Sequence, residues 1–461
     1  MPFLSASIRV HPRFCSPYPR IWVPAIGTAD SRRFCLDRRT QDFSIPFVKT
    51  SLIRSSSVIP SQHRLGSRVR GGTGYFASTL LIALLGLSFP SPNRAETPEA
   101  RIPVQIHRLP EGAVQPQIAV GPEGAVHLVY LMGAPEASDV KYAVRPAGSA
   151  AFEPAQTVNH QPGSAIAIGT IRGPRLAVSH DGTVHVLWNG SSKAVPQADH
   201  SSPVLYSSRR RGDAEFTPER NLLAGAHSLD GGSGVAVGSD GTVYAVWHGR
   251  VAGLPEGELN RDIFWRESRD GGVTFGTERR TGVPDGVCGC CSLTTTSTAN
   301  GGLVFLYRSV GTGTDRDARL RFRTSAEGSF KETVIGPWKT GTCPMSNAAL
   351  LPVEDRLLAA WERNGRIEVG HFGLTSAPSE SRIVPMTGSR QRHPTLTRNA
   401  VGTILVAWAE ETGWKRGGRV AWQQLSADLK PLGEVGIGAN LPVWSSPAVA
   451  ANSDNSFTVI Y

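Results

Sequence analysis

Three stretches of the chain repeat one phrase. Residues 115–130 read QPQIAVGPEGAVHLVY, residues 173–188 read GPRLAVSHDGTVHVLW, and residues 232–247 read GSGVAVGSDGTVYAVW. Each is an apolar run, a turn carrying Glu-Gly or Asp-Gly, and a second apolar run that ends on a large aromatic, which is the pattern of a β-hairpin. Looser copies are CSLTTTSTANGGLVFLY (291–307), MSNAALLPVEDRLLAAW (345–361), HPTLTRNAVGTILVAW (393–408) and SPAVAANSDNSFTVIY (446–461). The closing aromatics Tyr130, Trp188, Trp247, Tyr307, Trp361, Trp408 and Tyr461 are spaced by 58, 59, 60, 54, 47 and 53 residues. A hairpin recurring at such a period predicts a radial β array, a propeller, whose inner strands are apolar throughout because both of their faces are buried.

Between the hairpins lie further strand-like segments: 141–145, 204–208, 262–267, 319–324, 367–372 and 419–424, each followed by a turn and another short strand. Each period therefore holds four strands, A to D, and the predicted class is an all-β propeller of four-stranded blades. Six complete periods are followed by a seventh hairpin ending at Tyr461. The segment from Val104 to Leu109 is placed to give that hairpin an outer strand, which predicts seven blades; six blades with an irregular end is the alternative.

The chain has 461 residues and a formal charge of +10. Before residue 96 there are 13 basic and 3 acidic residues, which is +10, and the remaining 35 basic and 35 acidic residues cancel. The basic total therefore belongs to the first fifth, and the body of the chain gives no support for a nucleic-acid partner. Residues 1–63 show no apolar period and predict an unstructured leader or a start upstream of the true one. Residues 64–95 run from Arg64, Arg68 and Arg70 through an apolar stretch, Tyr75 to Phe89, to Ala95, the order of a secretory signal peptide cut after Ala95. The apolar stretch falls short of the ~20 residues a membrane span needs. The expectation is a secreted or periplasmic propeller, residues 96–461, with no membrane span after signal removal and acting as a monomer.

The turn after strand C of the third period is Ser268-Arg-Asp270-Gly-Gly272-Val-Thr274-Phe275. It resembles the Asp box, S-x-D-x-G-x-T-F, of sialidases and other BNR-repeat propellers. The first, second and fourth periods keep the aromatic of the box at Phe152, Phe216 and Phe330. In that family the box is structural and lies away from the ligand face. The resemblance covers roughly residues 100–461 and implies a sialidase-like propeller. The motifs Cys288-Gly-Cys290-Cys291 and Cys343-Pro344 are similar to those of an exported bacterial subgroup of that kind.

Four cysteines lie in the propeller: Cys288, Cys290 and Cys291 just before strand A of the fourth period, and Cys343 before that of the fifth. An even count in an exported chain predicts disulfides. With three cysteines clustered against one, one bridge is expected within the cluster (288–290, 288–291 or 290–291) and the other between blades four and five. A soft-metal thiolate site is the alternative; the leading reading assigns no metal and no cofactor.

In such a propeller, ligands meet the D-to-A connections and B-to-C loops around the axis. The candidates there are Arg172, Arg308, Arg363, Arg392, His393 and Glu410, with Asp199, His200 and Trp414 nearby. These cations, acids and aromatics suit a carbohydrate, glycoconjugate or other polar, anionic ligand. The resemblance implies a carboxylate clamp of three arginines, and Arg172 and Arg392 with Arg308 or Arg363 are the candidates. It also implies a Tyr–Glu nucleophile pair and an Asp acid/base, for which the sequence offers no assignment; Tyr307 reads as a core anchor. Arg101-Ile-Pro103 matches the family's R-I-P motif but stands too far from a strand A to serve as part of the clamp. The expected function is ligand binding on the rim, with an exo-acting sialidase-type glycoside hydrolase and a metal-binding propeller as alternatives.

Overall fold

The computed structural model describes residues 101–195, 202–227, 231–311, 314–374, 381–384, 387 and 389–461. The leader and signal segments, 1–63 and 64–95, lie outside the described residues, as do Asp199 and His200. The described chain forms seven sheets in sequence order, the first six antiparallel: blade 1 (113–157), blade 2 (175–221), blade 3 (233–280), blade 4 (294–336), blade 5 (348–383), blade 6 (391–441) and blade 7 (448–460). Blades 1 to 6 have four strands in consecutive order; a short strand, Ala226–His227, adds a fifth to blade 3. The architecture is a seven-bladed β-propeller, and the six-blade alternative is excluded.

Blade 7 closes the ring by joining the two ends of the chain. Its hairpin, Ala448–Ala451 and Phe457–Ile460, pairs with Val104–His107, which lies parallel to Phe457–Ile460 in the register Val104↔Phe457 to His107↔Ile460. The seventh blade is thus three-stranded, with the N-terminal segment in the place of strand C.

The repeated phrase folds this way because its second run, strand B, is buried on both sides. Val184–Asn189 is buried at all six positions, and Trp188, Trp247, Trp361 and Trp408 are wholly enclosed. Trp188 packs in one cluster with Val129, Leu131 and Tyr142 of blade 1, so the closing aromatic wedges between neighbouring blades. Burying such a side chain is worth ~1.5–3 kcal/mol. Two copies of the phrase carry a histidine in strand B. Nδ1 of His127 lies 2.7 Å from Tyr142 Oη, and Nδ1 of His185 lies 2.7 Å from Tyr206 Oη. Each tyrosine in turn meets the turn aromatic of the next blade edge-on: Tyr142 with Phe216 at 5.2 Å and Tyr206 with Phe275 at 4.9 Å. A His–Tyr–Phe chain therefore staples blade 1 to 2 and blade 2 to 3.

The turn holding Phe275 closes around Asp270. Ser268 Oγ donates to Asp270 Oδ1 at 2.7 Å and accepts from Gly272 N at 2.8 Å, while Thr274 N and Oγ1 donate to Asp270 at 2.8 and 2.6 Å. These donors, Thr274 first, hold the Asp270 carboxyl well below the usual carboxylate range. Gly272 has φ +88°, and a Cβ there would collide with Tyr206 Oη, so both conformation and space require glycine.

Candidate functional site on the axial face

With strand A innermost in each blade, the D-to-A connections and B-to-C loops share one face and the A-to-B turns the other. On the first face the segment 166–172 crosses the axis. Gln115 Nε2 of blade 1 donates to Ala167 O and Gly169 O, at 2.8 and 3.1 Å, and Asn347 Nδ2 of blade 5 donates to Thr170 O at 3.2 Å. A Cβ on Gly169 would touch Met345 and Trp414, and one on Gly231 would collide with Ile171. The segment thus reaches blades 1, 3, 5 and 6 and plugs the central channel.

Above the plug lies a cavity of about 220 Å³, lined by Thr170, Cys343, Met345, Arg392, His393, Thr412, Gly413, Trp414, Trp444 and Ser445. Trp414 and Trp444 form a wall, their rings 5.6 Å apart and inclined at 61°, and half of Trp414 is exposed. Four polar atoms of lining residues, Arg392 Nε, His393 Nδ1, Thr412 Oγ1 and Trp444 Nε1, are buried without a hydrogen-bond partner among the described residues. His393 is buried with φ +52°. Burial, followed by the positive charges of Arg392 and Arg390, lowers its pKa to about 3, so it is neutral. Arg392 donates through Nη2 to Pro344 O at 2.9 Å, and its Nε lies 3.8 Å from Glu362 Oε1. Burial pushes the Arg392 guanidinium below its ordinary value, and Glu362 offsets part of that. No Asp or Glu lines this cavity among the described residues.

Of the six rim candidates, Arg392 and His393 line the cavity and the other four are engaged elsewhere. Arg172 donates through Nη1 to Ile168 O at 3.1 Å, within the plug. Arg308 is buried: it donates to Arg316 O at 2.8 Å and to Glu362 O, and its guanidinium lies 4.8 Å from the centre of the Trp338 ring. Arg363 pairs with Glu368 of the adjacent strand, Nε to Oε1 2.7 Å. Glu410 is wholly buried. It accepts from Trp408 Nε1 at 2.8 Å, from Arg419 Nε at 3.0 Å and from Thr387 Oγ1. Arg101 donates to Glu434 O at the outer edge of blade 6. The arginines named for a clamp therefore do not converge on one point. Arg308 and Arg392 do meet at one residue, Glu362, whose carboxylate also receives Arg390 at 3.1 Å.

Tyr307 does stand beside a glutamate: its Oη donates to Glu332 Oε2 at 2.6 Å. Glu332, however, belongs to the outermost strand of blade 4, Lys331–Gly336, and also holds Arg319 and Arg321. Burial, followed by the Glu332 charge, pushes the Tyr307 phenol up, away from the ionised form a nucleophile needs.

Of the four cysteines, Cys343 lines the cavity. Cys290 and Cys343 form a disulfide that ties blade 4 to blade 5. Within the cluster the structure forms no bridge: Cys288 and Cys291 are buried thiols with Sγ atoms 3.4 Å apart, and Cys288 Sγ lies 3.3 Å from Cys290 Sγ. The three clustered sulfurs fall within 4.8 Å of one another, but with Cys290 bonded to Cys343 only two thiols remain, half the four donors of a structural zinc site. Buried His248 contacts the carbonyl of Cys291 (Nε2···O 3.1 Å) rather than a sulfur.

Sequence reading missed Thr170, Met345, Thr412, Trp444 and Ser445 as lining residues. Trp444 carried a signal, being the aromatic before strand A of blade 7 that falls outside the series of closing aromatics. No helix among the described residues is long and apolar enough to cross a membrane. No protein-family model matches the chain, and no curated protein matches it. Solved structures do. A protein of unknown function from Dyadobacter fermentans aligns with 14% identity and TM-score 0.49, over 69% of this chain and 96% of that one. The Hadza microbial sialidase Hz136 aligns with 14% identity and TM-score 0.45, over 65% of this chain and 63% of that one. A mutant of Aleuria aurantia lectin in complex with alpha-methyl-L-fucoside aligns with 12% identity and TM-score 0.44, over 72% and 96%.

Proposed function

We propose that this chain is an exported, monomeric carbohydrate-binding propeller that seats a sugar, preferably one bearing an anionic group, in the cavity between Trp414, Trp444 and Arg392. The observation that carries the reading is the composition of that cavity. Two inclined tryptophans offer apolar faces for the C–H side of a pyranose, a guanidinium offers a cation for a carboxylate, and the unpaired polar atoms of His393, Thr412 and Trp444 are left for hydroxyl groups. Export rests on the signal-like order of residues 64–95 and on the disulfide.

Binding is favoured over hydrolysis because glycoside cleavage needs a proton donor and a nucleophile or base at the scissile bond. The described cavity wall contains no carboxylate, and Tyr307 is held elsewhere with a raised pKa. A glycan array followed by calorimetry tests the reading. Binding of one or more acidic glycans, weakened at least ~10-fold by Trp414→Ala and by Arg392→Ala, is expected, an effect of ~1.4 kcal/mol or more. Binding to no glycan, or binding that both variants leave intact, refutes it. A fluorogenic sialoside cleaved by the wild-type chain and not by Arg392→Ala would replace it with the hydrolase.

A further inference from the structure

The plug formed by 166–172 divides the propeller axis in two. On its other side a shaft of about 580 Å³ runs from the A-to-B turns, at Gly124, Ala400 and Ser453, up to the innermost residues of the A strands. Arg175, the first residue of its strand A, stands at the inner end beside Gln117 and Asn347. Its Nε donates to Ser233 O at 3.0 Å, and no ion pair or further hydrogen bond engages its terminal nitrogens among the described residues. The shaft wall contains one other charge, Arg398, which faces Glu354 at 3.8 Å, and no Asp or Glu. Burial alone, with no carboxylate in play, pushes the Arg175 guanidinium down to about 10. Arg175 is half-buried rather than sealed from solvent, and a cation without a counter-charge in a shaft with low-dielectric walls focuses its field along the axis. Arg308, Arg363 and Arg392, described above, each rest on a carboxylate or on two carbonyls.

We infer that the shaft is a second binding site, distinct from the cavity above the plug, in which the free nitrogens of Arg175 take a small oxyanion: a sulfate, a phosphate or a carboxylate. The planar fork of the guanidinium suits two oxygens of such a group. The hydroxyls of Thr294 and Thr295 in the wall already donate to Ala348 O and Val304 O, so the Arg175 fork is what would hold the anion.

Equilibrium dialysis of the full chain against radiolabelled sulfate at constant ionic strength tests this. One saturable equivalent per chain is expected. Arg175→Gln should weaken it at least ~10-fold, and Arg175→Lys, which keeps the charge without the fork, should weaken it less. Arg269→Gln, at an exposed surface position, should leave it unchanged. Competition by a hexuronate would assign the physiological anion to a sugar carboxylate; competition by phosphate but not hexuronate would assign it to an inorganic oxyanion. Absence of saturable binding, or binding that Arg175→Gln does not alter, reduces the site to an adventitious ion only and overturns the inference. Should Arg175→Gln not fold, wild-type crystals soaked in selenate decide, since no anomalous peak beside the Arg175 terminal nitrogens would overturn it equally.

Discussion

Acid should unfold this propeller in a pH range where its carboxylates are still ionised. His127 and His185 are buried between blades and His248 and His393 beneath the axial face. Burial lowers the first two to about 4 and the last two to about 3, against an ordinary value of 6.5. Each therefore stays neutral in the folded chain while it takes up a proton in the unfolded one. The unfolded state binds more protons between pH 6.5 and the folded value, so stability is complete above 6.5 and falls as the pH drops below it. The slope for one such group is ~1.4 kcal/mol per pH unit. At about pH 5 the cost is roughly 2 kcal/mol for each histidine and roughly 8 kcal/mol for four acting independently. That total is comparable with the whole stability of an ordinary domain, ~5–15 kcal/mol. The assay is urea denaturation followed by tryptophan fluorescence at half-unit steps from pH 7.5 to 5, repeated with His185→Gln. The wild-type midpoint should be flat above pH 7 and fall steeply below 6.5. The variant should start lower, because Ser179 Oγ and Tyr206 Oη each lie 2.7 Å from the His185 ring and lose that partner, yet show a slope reduced by about a quarter. A midpoint independent of pH down to 5, or a variant slope equal to the wild-type one, would show that these rings are not held neutral by burial.

Three further outcomes follow from the packing. Gly272→Ala, which forces a side chain onto Tyr206 Oη at a positive φ, should cost ~2–4 kcal/mol and lower the melting temperature by several degrees; an unchanged melt would mean that the turn can swing away from blade 2. Thiol titration should find no reactive thiol in the native chain and two after denaturation within residues 96–461, and mild oxidation should join Cys288 to Cys291; finding none in the denatured, unoxidised chain would mean that the second bridge is already closed. Deleting residues 104–109 removes the strand that pairs with Phe457–Ile460, leaving a two-stranded blade with an open edge; the deletion should lower the melting temperature sharply and promote aggregation, and a soluble, equally stable product would argue against closure by the N-terminal strand.

How much of this was legible in the sequence depends on the range over which each feature is decided. The blades were legible because a hairpin is a local object. Its two strands sit within some 16 residues, and burial on both faces writes itself as an apolar run, so all seven copies and the predicted C strands reappear in the structure within a few residues. Closure by Val104–His107 was legible too, since the seventh hairpin lacked outer strands and only the N-terminal segment was unassigned. The site was not, because the partner of a rim side chain is chosen across blades. Arg308 is bound by a carbonyl 54 residues away and lies over a ring 30 residues away. Glu410 reads as a loop acid, but strand B of blade 6 runs through it, so it is folded inward beneath Arg419 instead of facing the axis.

The same cross-blade geometry decides which of two equally plausible arginines is available to a ligand. Arg363 sits one residue beyond Glu362, with its own strand-C glutamate to meet, and is neutralised by it. Arg392 begins the next blade, reaches back over the disulfide-bearing connection to the carbonyl of Pro344, and keeps Glu362 at the longer distance of 3.8 Å. An ion pair at that separation is weaker than a bidentate one and can yield to an incoming carboxylate, while the carbonyl contact holds the side chain in place. If that is why Arg392 serves the cavity, Glu362→Gln, which removes the competing charge and keeps the shape, should tighten binding of an acidic glycan and leave a neutral one unaffected. Weaker binding of the acidic glycan would instead make Glu362 the residue that positions Arg392.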